Sequence, residues 1–203
     1  IHTPFQIQDD IWLDNLAGEA AAERYLQCVA DCAEFEIPTM VVHLPDDDKP
    51  VNALGLDRIQ TIAETAERFC VNVALENLAN FVNLSLVLEQ VDLRRIGFCY
   101  DCCHHYRLYP DFDFLLAYGS RMTALHLHDF CGESLHLLPS DGAIDWPAAM
   151  KKIASAGYSG ATAIEVMNWS CLNLSAEEFL YQAAQRAKKL ESLRTADDEQ
   201  VKE

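Results

Sequence analysis

Six apolar stretches along this chain each end in a side chain that can bind a metal. They are His2 after Ile1, His43 in Met-Val-Val-His, Glu76 in Val-Ala-Leu-Glu-Asn, Asp101 in Gly-Phe-Cys-Tyr-Asp, His126 in Thr-Ala-Leu-His and Glu165 in Thr-Ala-Ile-Glu. Strands are expected at residues 37–43, 71–76, 96–101, 122–126 and 161–165, and the segments between them are spaced as helices. Residues 14–35 repeat apolar positions at Ala22, Leu26, Val29 and Cys32; residues 54–70 do so at Ile59, Ile62, Ala63, Ala66 and Phe69. Residues 84–91 and 112–118 are shorter helical stretches. Asp145-Trp146-Pro147 gives a helix its cap and first-turn proline, and Gly157 closes it. Ser175-Ala176-Glu177-Glu178 is a capping box before a last helix with Leu180, Ala183, Ala187 and Leu190 on one face. Continuously apolar strands separated by helices indicate βα units and a parallel sheet.

A polar residue at a strand end is ordinary, because the chain leaves the core there. Six in succession, all His, Asp or Glu, are not. In a parallel barrel the C-terminal strand ends converge on one face. Imidazoles and carboxylates gathered there would repel or stay unsatisfied without a cation. A set of Glu, Asp and His suits Mn²⁺, Mg²⁺, Co²⁺ or Zn²⁺.

Charge and motifs narrow the function. With 32 acidic against 15 basic residues the formal charge is −17, which disfavours a sequence-independent grip on nucleic acid. No apolar run approaches the roughly 18 residues of a membrane span. The opening Ile1-His2-Thr3-Pro4 has neither the basic nor the apolar region of a signal peptide. GxGxxG, Walker A and GxSxG patterns are absent, which removes dinucleotide, P-loop and serine-hydrolase readings. The eight cysteines are expected to be reduced thiols in or near the core, consistent with a cytoplasmic protein, because the CxxC at Cys99 and Cys102 has no second pair.

Glu76-Asn77 after a strand, Asp101-x-x-His104, His126-Leu127-His128-Asp129, Gly142-Ala143-Ile144-Asp145-Trp146 and strand-terminal Glu165 occur in that order. On these motifs the chain resembles the xylose-isomerase-like TIM barrels, and within them the sugar phosphate isomerase/epimerase family. The resemblance implies a (β/α)₈ barrel with one divalent metal held by Glu76, Asp101, His126 and Glu165. It also implies that Glu76 and Glu165 act as catalytic acid and base on opposite faces of a small sugar, through an enediolate. His104 matches a substrate-binding histidine. An inosose-type dehydratase or lyase of the same superfamily and a non-catalytic barrel remnant are the alternatives.

The endonuclease IV type of AP endonuclease shares this barrel and adds histidines that match His2, His43, His104 and His136. These four are therefore candidates for a second metal or for substrate contacts. That family needs an Asp where Ser134 stands, and the acidic charge further disfavours DNA. His105 and His128 flank motif positions and read as packing or rim residues. Asp129 reads as an orienting group or a loop cap, Trp146 as a packing anchor rather than a wall of the sugar site. Cys102 and Cys103 replace the Thr and Gly usual in relatives.

The expected partner is a small sugar, with neither nucleic acid nor membrane, in a chain compatible with a homo-oligomer. The resemblance makes the His2 strand the third of eight. The expected domain is thus a barrel truncated at its N-terminus, about six βα units over residues 1–194, followed by a charged tail at 195–203.

Overall fold

Asparagine side chains cap the first two helices. In a computed structural model, which describes residues 1–195, the Asn15 side chain accepts from the N–H groups of Ala17 and Gly18 to open α1 (Leu16–Glu34). Asn52 does the same for Gly55 at α2 (Ala53–Phe69), and Cys70 ends that helix in the left-handed conformation at φ 58°. Between and after them lie β1 (Thr39–Val42), β2 (Asn72–Glu76), α3 (Phe81–Gln90), β3 (Ile96–Asp101), α4 (Cys102–Leu108), α5 (Phe114–Tyr118) and β4 (Met122–His126). The hairpin β5 (Asp129–Cys131) and β6 (Ser134–Leu137), then α6 (Trp146–Ser155) and α7 (Ala176–Thr195), complete the order. Residues 196–203, most of the expected charged tail, lie outside the described residues.

The chain divides into two compact units. The first holds Ile1–Cys99 and Arg121–Ala124, the second Tyr100–Ser120 and the residues from Leu125 onward, so β3 and β4 each contribute to both. In the first unit the strands run in sequence order β1-β2-β3-β4, with β1 parallel to β2 and β2 to β3. Val41 faces Ala74 and Ala74 faces Gly97, and Val41, Ala74, Cys99 and Ala124 form one apolar layer. A Cβ on Gly97 would come within 2.8 Å of the Thr123 side chain and 2.7 Å of the Arg121 carbonyl, so the strands can approach only over glycine. The Arg121 guanidinium donates to the carbonyl oxygens of Leu88, Val91 and Ile96, which satisfies carbonyls at the end of α3 and at the start of β3.

Two expected strands shrink to single bridges. His2 pairs with Val41 alone, and Ile164 with Leu127 alone, where Leu127 N–H donates to Ala163 O and Glu165 N–H to Leu127 O, both at 3.1 Å. All six residues of β3 are buried, whereas Ala161 and Ala163 are exposed. The 161–165 segment thus lacks the apolar burial that holds a full strand.

Residues 129–137 fold as a hairpin, turning at Gly132 with φ 55°. The buried Asp129 carboxylate organises the hairpin and the segment leading to α6. It accepts from the N–H groups of Phe130 (2.9 Å), Ser140 (2.9 Å) and Ile144 (3.1 Å) and from the Trp146 indole (2.8 Å). Asp129 is therefore the loop cap, and Trp146, 3% exposed, is the packing anchor. A Cβ on Gly142 would fall 2.3 Å from both Asp129 Oδ1 and Phe130 O, which explains the glycine of this motif. Asp129→Ala leaves four donors with no acceptor. Urea unfolding should show a loss of about 3–5 kcal/mol; a loss below about 1 kcal/mol would refute the hub.

None of the eight cysteines, all among the described residues, is in a disulfide; Cys28, Cys32, Cys99, Cys102 and Cys103 are buried, and Cys70 and Cys131 exposed. Burial pushes the Cys28, Cys32 and Cys102 thiols up, away from reactive thiolate. Ellman titration of native protein should modify Cys70 and Cys131 promptly, Cys171 more slowly and the five buried thiols only after denaturation. Prompt reaction of more than three would contradict this packing. No helix among the described residues is long and apolar enough to cross a membrane.

Candidate metal centre

Register places the first cluster. Val42 of β1 faces Leu75 of β2, so the next residues, His43 and Glu76, leave the sheet side by side, and His2 reaches them from its bridge to Val41. His2 Nδ1–H donates to its neighbour's carbonyl, Thr3 O, at 2.7 Å. His43 Nδ1–H donates to Gln8 Oε1 at 2.9 Å. With Nδ1 carrying the proton, each neutral ring presents an Nε2 lone pair.

Those lone pairs point at each other and at a carboxylate. His2 Nε2 and His43 Nε2 are 3.1 Å apart, His43 Nε2 and Glu76 Oε2 are 3.1 Å apart, and His2 Nε2 and Glu76 Oε2 are 3.6 Å apart. Glu76 is only 1% exposed, so water does little to relieve the repulsion. A proton can bridge two of these atoms but not three. Donors bonded to one tetrahedral cation at about 2.0–2.1 Å stand about 3.3 Å from each other, and the triangle matches that spacing. The residues fit a divalent cation, and Thr3 and Gln8 set the tautomers that binding needs.

The second unit gathers the other predicted residues. Asp101 ends β3 and caps α4, its Oδ1 accepting from His104 N–H at 2.7 Å, with His104 Nδ1 at 3.6 Å from the same oxygen. Asp101 Oδ2 accepts from His128 Nε2–H at 3.0 Å, and both side chains are fully buried. His128 Nδ1 accepts from His136 N–H at 3.1 Å, and the two rings stack with centroids 4.1 Å apart. His136, at φ 54°, donates from Nδ1 to Glu165 O at 3.1 Å, with Glu165 Oε2 at 3.7 Å. His126 Nδ1 lies 3.4 Å from Glu165 Oε2.

Of the two readings the sequence left for His128, packing and rim, the structure gives the buried one. Both its nitrogens are engaged, so it orients Asp101 and backs His136 rather than offering a lone pair. A signal was available: His126 and His128 are two residues apart, the period that returns to one side of an extended chain. His105 packs as expected, buried against Phe114 and accepting at Nδ1 from the Tyr100 hydroxyl at 2.7 Å. Burial lowers its pKa. Cys102, also buried, directs its thiol to His128 O.

A family model described as the xylose isomerase-like TIM barrel matches residues 2–193. A protein of Methanocaldococcus jannaschii is 23% identical over 187 residues, 83% of this chain and 64% of that protein. The chain spans 31% and 64% of the lengths of the curated relatives it matches. Among solved structures, a D-tagatose 3-epimerase-like protein superposes with a TM-score of 0.74 at 18% identity, covering 98% of this chain and 78% of that one. The zinc-bound IolI protein superposes with a TM-score of 0.76 at 17% identity, covering 89% and 72%. These likenesses establish the fold. With α/β order, a parallel sheet and ligand-type residues at its strand ends, the chain belongs to the xylose isomerase-like TIM barrel family.

Proposed function

We propose that this chain serves a metal-dependent isomerase or epimerase that moves a proton next to the carbonyl of a small sugar or ketose. The observation that carries the reading is the convergence of His2 Nε2, His43 Nε2 and Glu76 Oε2 within 3.1–3.6 Å, which calls for a divalent cation. The motif match assigns ligand roles to Glu76 in the first unit and to Asp101, His126 and Glu165 in the second. A divalent cation, Mn²⁺, Mg²⁺, Co²⁺ or Zn²⁺, supplies Lewis-acid polarisation of substrate oxygens when bound. His104 and His136, partly exposed, are assigned to substrate hydroxyls or to a second cation.

Glu165 is the accessible base. Its carboxylate is 27% exposed, with His126 and His136 at 3.4 and 3.7 Å to hold it in place. It removes the proton α to the carbonyl, and the motif match pairs it with Glu76 for return of a proton to the opposite face. The solved relative of D-tagatose 3-epimerase type supports a ketose as substrate.

The test is incubation of the Mn²⁺-loaded chain with D-tagatose and other ketohexoses and ketopentoses in D₂O. Deuterium at the α carbon is expected. Loss of water without exchange would replace this reading with the dehydratase one, and neither change would leave a non-catalytic binding protein.

A further inference from the structure

We infer that Trp169 is the aromatic platform of a carbohydrate subsite, on which the C–H face of a neutral sugar stacks while His126, His136 and Glu165 meet its hydroxyls. This rests on the sugar reading proposed for the site and adds a ligand-binding surface to it. Three hydrogen bonds fasten residues 165–169 along β6. His136 Nδ1 donates to Glu165 O at 3.1 Å, Met167 N–H to His136 O at 3.0 Å, and the Trp169 indole to Leu135 O at 3.2 Å. The indole nitrogen is thereby occupied, and what Trp169 offers a ligand is its ring.

The ring is held in place from the side. His136 meets it edge to face with centroids 5.7 Å apart, yet Trp169 remains 56% exposed. A large apolar ring fixed by a hydrogen bond and left open to solvent does not contribute to the core. It preserves apolar area for a ligand at little conformational cost. Beside it, through His136, stand a carboxylate and a second imidazole, His126. An aromatic face beside convergent hydrogen-bonding groups is complementary to a polyol, which is apolar across its C–H bonds and polar at its rim. Trp12 and Trp146, the other two tryptophans, are buried, so the indole open to such a ligand is that of Trp169.

The experiment uses the full chain with Mn²⁺ and D-tagatose as probe, comparing wild type with Trp169→Phe and Trp169→Ala. D-tagatose should change the tryptophan fluorescence of wild type and leave that of Trp169→Phe unchanged. Calorimetry should show binding weakened about tenfold in Trp169→Ala and less in Trp169→Phe, which keeps a ring. Wild-type affinity in Trp169→Ala overturns the platform, and if α-proton exchange persists the isomerase reading stands without it. Trp169-dependent binding with no exchange supports the platform and overturns the acid–base reading. No binding of D-tagatose by wild type overturns the platform as stated.

Discussion

Glu165→Gln should abolish exchange of the substrate α-proton, lowering it by about 10²–10⁴-fold, while leaving the fold intact. The substitution is clean for a structural reason. What ties this residue to its neighbours is mostly backbone: its N–H donates to Leu127 O and its carbonyl accepts from His136 Nδ1. Gln keeps both bonds and the side-chain volume, and removes only the basic oxygens near His126 and His136. Deuterium incorporation followed by NMR, with circular dichroism as the control for folding, reads the effect. Exchange within tenfold of wild type would remove Glu165 from the role of base.

His43→Ala should cost more than a hundredfold in Zn²⁺ affinity, since it deletes one of the three converging donors. Gln8→Ala tests the same triangle more gently. It leaves every donor in place but removes the acceptor that keeps the His43 proton on Nδ1, and a loss of roughly 10–100-fold is expected. Competition titration against a chromogenic chelator measures both variants. The ordering matters as much as the size, because a structural role for Gln8 would lower stability without a graded loss of metal. Wild-type affinity in His43→Ala would dissolve the triangle as a metal site. Zinc at a hundred times its dissociation constant should also stabilise wild type by about 2.7 kcal/mol, an increment that His43→Ala forfeits.

Much of the scaffold was legible because burial on both faces leaves a plain signature. The β3 and β4 boundaries agree with the expectation at Ile96–Asp101 and Met122–His126, and α2 is displaced by one residue at each end. The capping box at Ser175 forms as written, Ser175 N–H donating to Glu178 Oε2 at 2.8 Å and Glu178 N–H to Ser175 Oγ at 3.2 Å. What escaped the sequence depends on contacts between distant residues. The 129–137 hairpin is arranged around a carboxylate whose donors include Ile144 and Trp146, and no local pattern announces that.

The candidate site divides the same way. Residue types at strand ends offered His2, His43, Glu76, Asp101, His126 and Glu165 as candidates, and the structure brings His2, His43 and Glu76 together in the first unit. The groups that aim them were invisible, since Thr3 acts through its carbonyl and Gln8 from a 3-10 turn (Phe5–Trp12) before α1. His128 looked like a flanking residue because its importance lies in stacking on His136 and bonding to Asp101, both features of the folded chain. Of two tryptophans near motif positions, the sequence drew attention to Trp146. The structure buries that one and leaves Trp169 open beside His136.

One cation shared by His2, His43 and Glu76 underlies the proposed chemistry. Anomalous diffraction from crystals of the chain grown with Zn²⁺, recorded on both sides of the zinc edge, tests it most directly. A peak is expected about 2.0–2.2 Å from His2 Nε2, His43 Nε2 and a Glu76 carboxylate oxygen. A zinc-saturated crystal with no anomalous density within bonding distance of these three atoms would contradict it.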